Sequence, residues 1–292
     1  MNVFLVDGTY ELFRHHFALP RATDVGGVEI GAVRGVLGSL LGLLEEGVTH
    51  VGVATDHVVE SFRNDLWPGY KNSDDIAPEI LGQFGPLEEA LEALGVVVWK
   101  MERHEADDAL ASAAVRAAAD PRVEQVFICT PDKDLAQTVA GRRIVQFDRR
   151  AGVVRDADGV REKFGVDPAS IPDYLALMGD SADGFPGVRG WGAKSASTVL
   201  ARYGRLEDIP DDAAAWDVKV RGAARLAGAL AGARDEAALF RDLATLRTNV
   251  PVLDAVDELR WKGPQPQFFD FCARINAKGY FRRAQAAASG RA

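Results

Sequence analysis

Four short apolar runs punctuate the first half of the chain: NVFLV (2–6), HVGVA (50–54), VVVW (96–99) and QVFIC (125–129). Between them lie GAVRGVLGSLLGLLEEG (31–47), PEILGQFGPLEEALEALG (78–95) and EADDALASAAVRAAA (105–119), whose apolar residues recur at helical spacing. Runs of four or five residues are too short for helices and read as buried strands. Strand–helix alternation of this kind forces a mostly parallel sheet, because each crossover returns the chain to begin the next strand in the same direction. The predicted fold class is therefore α/β, with helices on both faces of the sheet. A further short strand pair is expected near 143–155. From Asp167 onward the pattern becomes helical with Gly/Pro breaks, which places a boundary near 165–172.

Carboxylates occur where such a sheet would present them. Asp7 follows the first run and Asp56 the second; Glu105, Asp107 and Asp108 open the helix after the third; Asp132 and Asp134 follow the fourth. Parallel sheets bind ligands outside the carboxyl ends of their strands, so these segments deliver acids to one edge. Asp180 and Asp183, three apart on a stretch expected to be helical, are spaced to reach the same place from the second half. A single Asp after a strand is usually a cap or turn former. The whole set is different, because converging like charges repel unless cations neutralise them. Oxygen ligands with no His/Cys cluster point to hard ions, magnesium or manganese. A site of this kind suits two-metal hydrolysis of a phosphodiester.

Composition narrows the setting. Two cysteines, Cys129 and Cys272, are too few and too far apart for a disulfide framework or a zinc site, so a reducing cytoplasm is expected. The opening MNVFLVDG has no basic start and is no signal peptide, and no apolar run is long enough to span a membrane. The net charge of -9 argues against nonspecific nucleic-acid binding by the surface as a whole. Yet residues 260–292 carry seven basic residues (Arg260, Lys262, Arg274, Lys278, Arg282, Arg283 and Arg291) against one acid, Asp270. They form a basic tail that either is solvated and partly disordered or binds a nucleic-acid backbone or a partner.

Two familiar motifs fail. VDGT (6–9) is similar to the phosphatase pattern D-x-D-G-T, but Leu5 occupies the nucleophile's position. GVRGWGAKS (187–195) misses the nucleotide loop G-x-x-x-x-G-K-[ST], since Ala193 stands where lysine is needed.

Six blocks in order resemble the 5′-nuclease family, which includes the exonuclease domain of bacterial DNA polymerase I, phage 5′-exonucleases and flap endonucleases. They are VDGTYELFR (6–14), TDHVVESFRNDLWPGYK (55–71), HEADDALA (104–111), TPDKDL (130–135), GDSADGFPGVRGWGAKSA (179–196) and DLATLRTNVPV (242–252). The resemblance implies a PIN-like nuclease core over 1–168 with a helical arch near 71–95. It also implies an all-helical helix–three-turn–helix DNA-binding domain over 169–259. By the same resemblance Asp7, Asp56, Glu105, Asp107 and Asp132 serve mainly a first ion, Asp134, Asp180 and Asp183 a second, and Asp108 lies near both. Arg14, Arg63 and Lys71 would hold the scissile phosphate or stabilise its developing charge. Gly187, Arg189, Gly190, Gly192, Lys194 and Ser195 would grip duplex phosphate, with a monovalent potassium ion at the loop.

The activity so implied is a stand-alone 5′→3′ exonuclease or 5′-flap endonuclease. It would be a cytoplasmic, nucleoid-associated bacterial monomer acting on DNA with 5′ ends, flaps or duplex/single-strand junctions. Replication or repair proteins could engage the tail. One departure stands out: the family continues Y-K-x-x-R, whereas YKNSD puts Asp74 at the arginine, and residues 72–99 contain no Lys or Arg. An acidic arch guides phosphate poorly. The competing readings are a PIN-type ribonuclease, which needs no glycine-loop module after Asp183, and a catalytically weak DNA-binding protein of the same fold.

Overall fold

The computed structural model describes residues 1–290. Its strands are β1 (Asn2–Asp7), β2 (His50–Thr55), β3 (Val97–Lys100), β4 (Gln125–Cys129), β5 (Ile144–Asp148) and β6 (Val153–Arg155). The helices of the first half are α1 (Gly8–Ala18), α2 (Gly31–Glu45), α3 (Phe62–Leu66), α4 (Pro78–Leu81), α5 (Phe84–Leu94) and α6 (Ala106–Ala118). Those of the second half are α7 (Ala157–Phe164), α8 (Ile171–Met178), α9 (Ala193–Tyr203), α10 (Ala223–Ala231) and α11 (Arg234–Ala244). Two more, α12 (Phe268–Arg274) and α13 (Lys278–Ser289), close the described chain. None of these helices is long and apolar enough to cross a membrane.

The chain forms two compact units. The first comprises residues 1–61, 72–130 and 248–290, and holds four parallel strands in the order β3-β2-β1-β4. Right-handed crossovers put α1, α2 and α5 on one face and send the chain back through α6 on the other. The register is what matters for chemistry. Asp7 pairs with Ala54, and Val6 with Cys129, so Asp7, Asp56 and Thr130 end level along one edge. Between β1 and β4 the strand order reverses, and Asp7 sits at that switch point.

The expected helix over 78–95 is two helices. Between them Gln83 turns fully inward, where its amide accepts from Ala32 N at 3.1 Å and donates to Glu79 O at 2.9 Å. α5 then packs against α2 and β3, burying Phe84, Leu87, Leu91 and Leu94. Residues 84–94 therefore belong to the layer that covers the sheet, and the stretch read as an arch reduces to residues 71–83, with a 3₁₀ turn at Ser73–Asp75 and α4.

The basic tail, as far as it is described, is folded. Trp261 is buried and donates to Leu94 O at 2.7 Å; α12 packs on α5, and α13 on α2. Arg274 pairs with Glu89 at 2.5 Å and Arg283 with Glu45 at 2.7 Å. Part of the charge asymmetry is thus complementarity within one unit. Arg291 lies outside the described residues.

The second unit, residues 62–71 and 131–247, contains the antiparallel β5–β6 hairpin and the helices α3 and α7–α11. Phe240 is central to its core, stacked on Phe185 and edge-on to Trp67. Trp191 and Trp216 pack together farther along, and Trp191 donates to Leu226 O at 3.1 Å.

Candidate metal centre

In the first unit each strand-end carboxylate has a local donor. Asp7 caps α1, accepting from Tyr10 N at 2.8 Å, and also accepts from the Thr130 hydroxyl at 3.0 Å. Asp56 accepts from Ala106 N at 2.8 Å, which ties the end of β2 to the start of α6. Glu105 accepts from the Ser61 hydroxyl at 2.8 Å, while Asp108 accepts from Glu105 N at 3.0 Å in a capping box. Asp107 is half-buried in the first turn of α6, where the helix dipole favours an anion. Asp7, Glu105 and Asp108 are almost fully buried. Backbone amides and hydroxyls of this kind orient a carboxylate without cancelling its charge.

The second unit assembles a tighter group. Ligand oxygens of Asp134, Asp180 and Asp183 lie within 4.8 Å of one another, and all three residues are buried. Asp180 and Asp183 are not helical, contrary to the spacing. α8 stops at Gly179, whose φ of 84° no other residue adopts readily, and the chain turns back so that Asp180 bridges to Phe185. Phe185 anchors that turn in the core, and Asp180 Oδ1 accepts from Ala182 N at 3.0 Å. Asp132 is exposed; its Oδ1 accepts from Asp134 N at 3.0 Å, and its carbonyl oxygen accepts from Gln146 of β5.

Burial, and then the charges of Asp132, Asp183 and Asp180, hold Asp134 well above the usual carboxylate range. Its Oδ1 is buried and has no hydrogen-bond partner. An orphaned oxygen among three crowded carboxylates fits a hard divalent cation, which would satisfy the oxygen and offset the repulsion.

Two ammonium groups border this cluster. Lys71 Nζ lies 2.9 Å from Asp183 Oδ1, brought there because Lys71 N donates to Asp183 O and Trp67 donates to Gly184 O. Lys133 Nζ lies 2.6 Å from Asp180 Oδ2. Burial lowers the Lys133 pKa, but the bond to Asp180 and the charges of Asp134, Asp180 and Asp132 outweigh it and raise the value overall. Sequence reasoning passed over Lys133, although its place between two acids in PDKD was a usable signal.

Arg14 and Arg63 fare differently from Lys71. Arg14 Nη2 donates to Glu11 at 2.6 Å and lies 2.8 Å from His15 Nε2, so its charge is largely spent within α1. Arg63 is 1% exposed and donates to Leu243 O at 2.8 Å and Thr245 O at 3.2 Å. It caps the C-terminal end of α11, and burial denies it the phosphate-holding task expected of it.

The glycine loop lines a cavity of about 670 Å³ formed by residues 190–195 with Thr198, Lys219, Val220 and Arg221. Arg189 and Lys194 are exposed on this loop. Ser195 caps α9: its hydroxyl accepts from Gly192 N at 3.0 Å and donates to Gly192 O at 2.9 Å. Gly187, at φ 70°, serves packing, since a Cβ there would lie 2.3 Å from Gly179 N. Gly190 also needs its positive φ of 86°, whereas Gly192 is extended, with open space beside it. Lys219 and Arg221, more than twenty residues away in sequence, went unnoticed because DVKVRG carries no periodic signal.

Comparison with known proteins bears on the family and the fold. Residues 2–165 match the 5′-3′ exonuclease N-terminal resolvase-like domain, and residues 166–267 match the 5′-3′ exonuclease C-terminal SAM fold. DNA polymerase I of Pseudomonas aeruginosa is 38% identical over 271 residues, covering 89% of this chain and 29% of the relative. DNA polymerase I of Mycobacterium leprae is 35% identical over 88% of this chain and 28% of its own length. The chain thus spans less than a third of the length of these curated relatives. Among solved structures, T5 5′-exonuclease with bound zinc superposes with a TM-score of 0.66 at 17% identity, covering 99% of both chains. The catalytic core of Rad2 with its DNA substrate gives 0.64 at 16% identity, covering 97% of this chain and 91% of Rad2's. Flap endonuclease-1 from Methanococcus jannaschii gives 0.62 at 14%, covering 100% and 93%.

Proposed function

The chain belongs to the 5′-3′ exonuclease family, and from that premise we propose that it is a divalent-cation-dependent nuclease cleaving DNA phosphodiesters at 5′ ends, flaps or duplex/single-strand junctions. The observation that carries the reading is the Asp134–Asp180–Asp183 cluster with its orphaned oxygen, set in a chain matched along both halves of the family. Asp134, Asp180 and Asp183 hold one magnesium or manganese ion; Asp7, Asp56, Glu105, Asp107 and Asp108 are the ligands in the other unit, with Asp132 beside Asp134. Divalent ions bound by such carboxylates supply an acidified water and neutralise charge on the phosphate. Lys71 adds a positive charge where negative charge develops, and its seat on Asp183 keeps it oriented until substrate arrives.

The loop cavity with Lys194, Lys219 and Arg221 binds the backbone of the duplex, and the family resemblance adds a potassium ion at that loop. Activity of this kind places the protein with the chromosome in the cytoplasm.

The test is turnover of a 5′-labelled DNA flap in magnesium, with an EDTA control and a matched RNA flap. Cleavage of the DNA flap that EDTA abolishes is the expected result. Undiminished cleavage in EDTA would sink the metal reading, and preference for the RNA flap would replace the substrate class.

A further inference from the structure

Asp180 has two carboxylate oxygens, and they are committed differently. Oδ1 accepts from Ala182 N at 3.0 Å and so belongs to the turn. Oδ2, which makes no such backbone contact, lies 2.6 Å from Lys133 Nζ. Asp180 is 3% exposed, whereas the Lys133 side chain is 32% exposed and has a way out to solvent. A second ammonium, on Lys71, covers Asp183 Oδ1 at 2.9 Å, while Asp134 Oδ1 has no partner. The cluster therefore carries its own monovalent counter-ions on two of its three acids.

We infer that Lys133 is a tethered cation that occupies the Asp180 carboxylate when no divalent ion is bound and is displaced from it when one binds. The inference rests on the reading of Asp134, Asp180 and Asp183 as a divalent-ion site. An ammonium and a divalent cation compete for one oxygen, because like charges a few ångströms apart in a buried site repel. Binding an ion must then include the cost of ejecting Lys133, which weakens the apparent affinity. In return, the metal-free protein is spared an uncompensated buried carboxylate. Lys133 thus sets the cation concentration at which the cluster fills.

The consequence has opposite signs in the two states, and a purely structural lysine would not behave this way. In the 292-residue chain, K133Q should lower the melting temperature without metal. It should also bind Mn²⁺ about tenfold more tightly, by calorimetry and by electron paramagnetic resonance of the free ion. At saturating Mn²⁺ the melting-temperature deficit should shrink. K133R, which keeps the charge, should return both quantities toward wild type. Asp134→Asn identifies the binding component that belongs to this cluster. Equal Mn²⁺ affinity in wild type and K133Q, or a deficit of the same size with and without Mn²⁺, would overturn the inference while leaving the ion site in place. Mn²⁺ binding that Asp134→Asn leaves unchanged would remove the site itself, and the inference with it.

Discussion

The two units hold their carboxylates in contrasting ways. In the first, acids stand at the ends of regular elements and are oriented by backbone amides and hydroxyls, as Asp7 is by Tyr10 N and Thr130. In the second, acids sit on a tight turn and a 3₁₀ segment, crowd to within 4.8 Å and are steadied by ammonium groups. The first arrangement is part of the fold's own hydrogen bonding, so it stabilises the protein whether or not an ion is present. The second is electrostatically strained, as the raised pKa of Asp134 records, and gains most from an added cation. Carboxylates of the first kind are fixed in advance, whereas those of the second stand to gain from an added cation.

Activity should not distinguish the two sets, and this is the largest effect expected. Asp107→Ala in the first unit and Asp134→Ala in the second should each lower flap cleavage by about 1,000-fold. Near-normal turnover in either would confine the chemistry to the other unit.

Next in size is the turn itself. Gly187→Ala forces a Cβ to within 2.3 Å of the Gly179 amide at a positive φ, and should cost roughly 2–4 kcal/mol in chemical denaturation. Gly192→Ala, with open space beside an extended backbone, should cost less than about 1 kcal/mol. Similar losses for the two would show that the acid-bearing turn does not depend on the Gly179–Gly187 contact.

Stability without metal tests the contrast most directly, through opposite signs. Asp7→Ala removes a helix cap and should destabilise by about 1–2 kcal/mol. Asp134→Asn relieves a buried like charge and should stabilise by about 1 kcal/mol. A loss of stability in Asp134→Asn would mean that the second cluster is not strained.

The smallest effect concerns pH. His50 opens β2, at the end away from the carboxylates, and burial together with Arg260 lowers its pKa below the ordinary 6.5. The folded state therefore resists protonation there. His50 contributes stability that is present above pH 6.5 and is lost as pH falls toward the lowered folded value. His50→Gln should flatten that slope by less than about 1 kcal/mol, measured by denaturation across the interval.

The acids of the first unit were legible in the sequence because strand, turn and helix start follow one another locally. An Asp directly after a parallel strand can only lie at the sheet's carboxyl edge. The second unit was harder to read. DSAD could have been one turn of helix; Gly179 and Gly184 at positive φ, and Phe185 drawn into the core, made it a reverse turn. Arg63 matched a phosphate-binding block, yet its burial beneath α11 gives it a capping role. The basic residues after 259 suggested a tail until Glu45 and Glu89 proved to be partners for two of them.

By itself the sequence determined the strand order's raw material, the parallel direction, the family and the identity of the acids. Each of those follows from local spacing, which the chain carries along its length. Only the tertiary structure decided which acids crowd together, which cations neutralise them, and that Lys133 reaches Asp180 across forty-seven positions of sequence. Crowding and neutralisation depend on distances between residues far apart in the chain, and packing sets those distances.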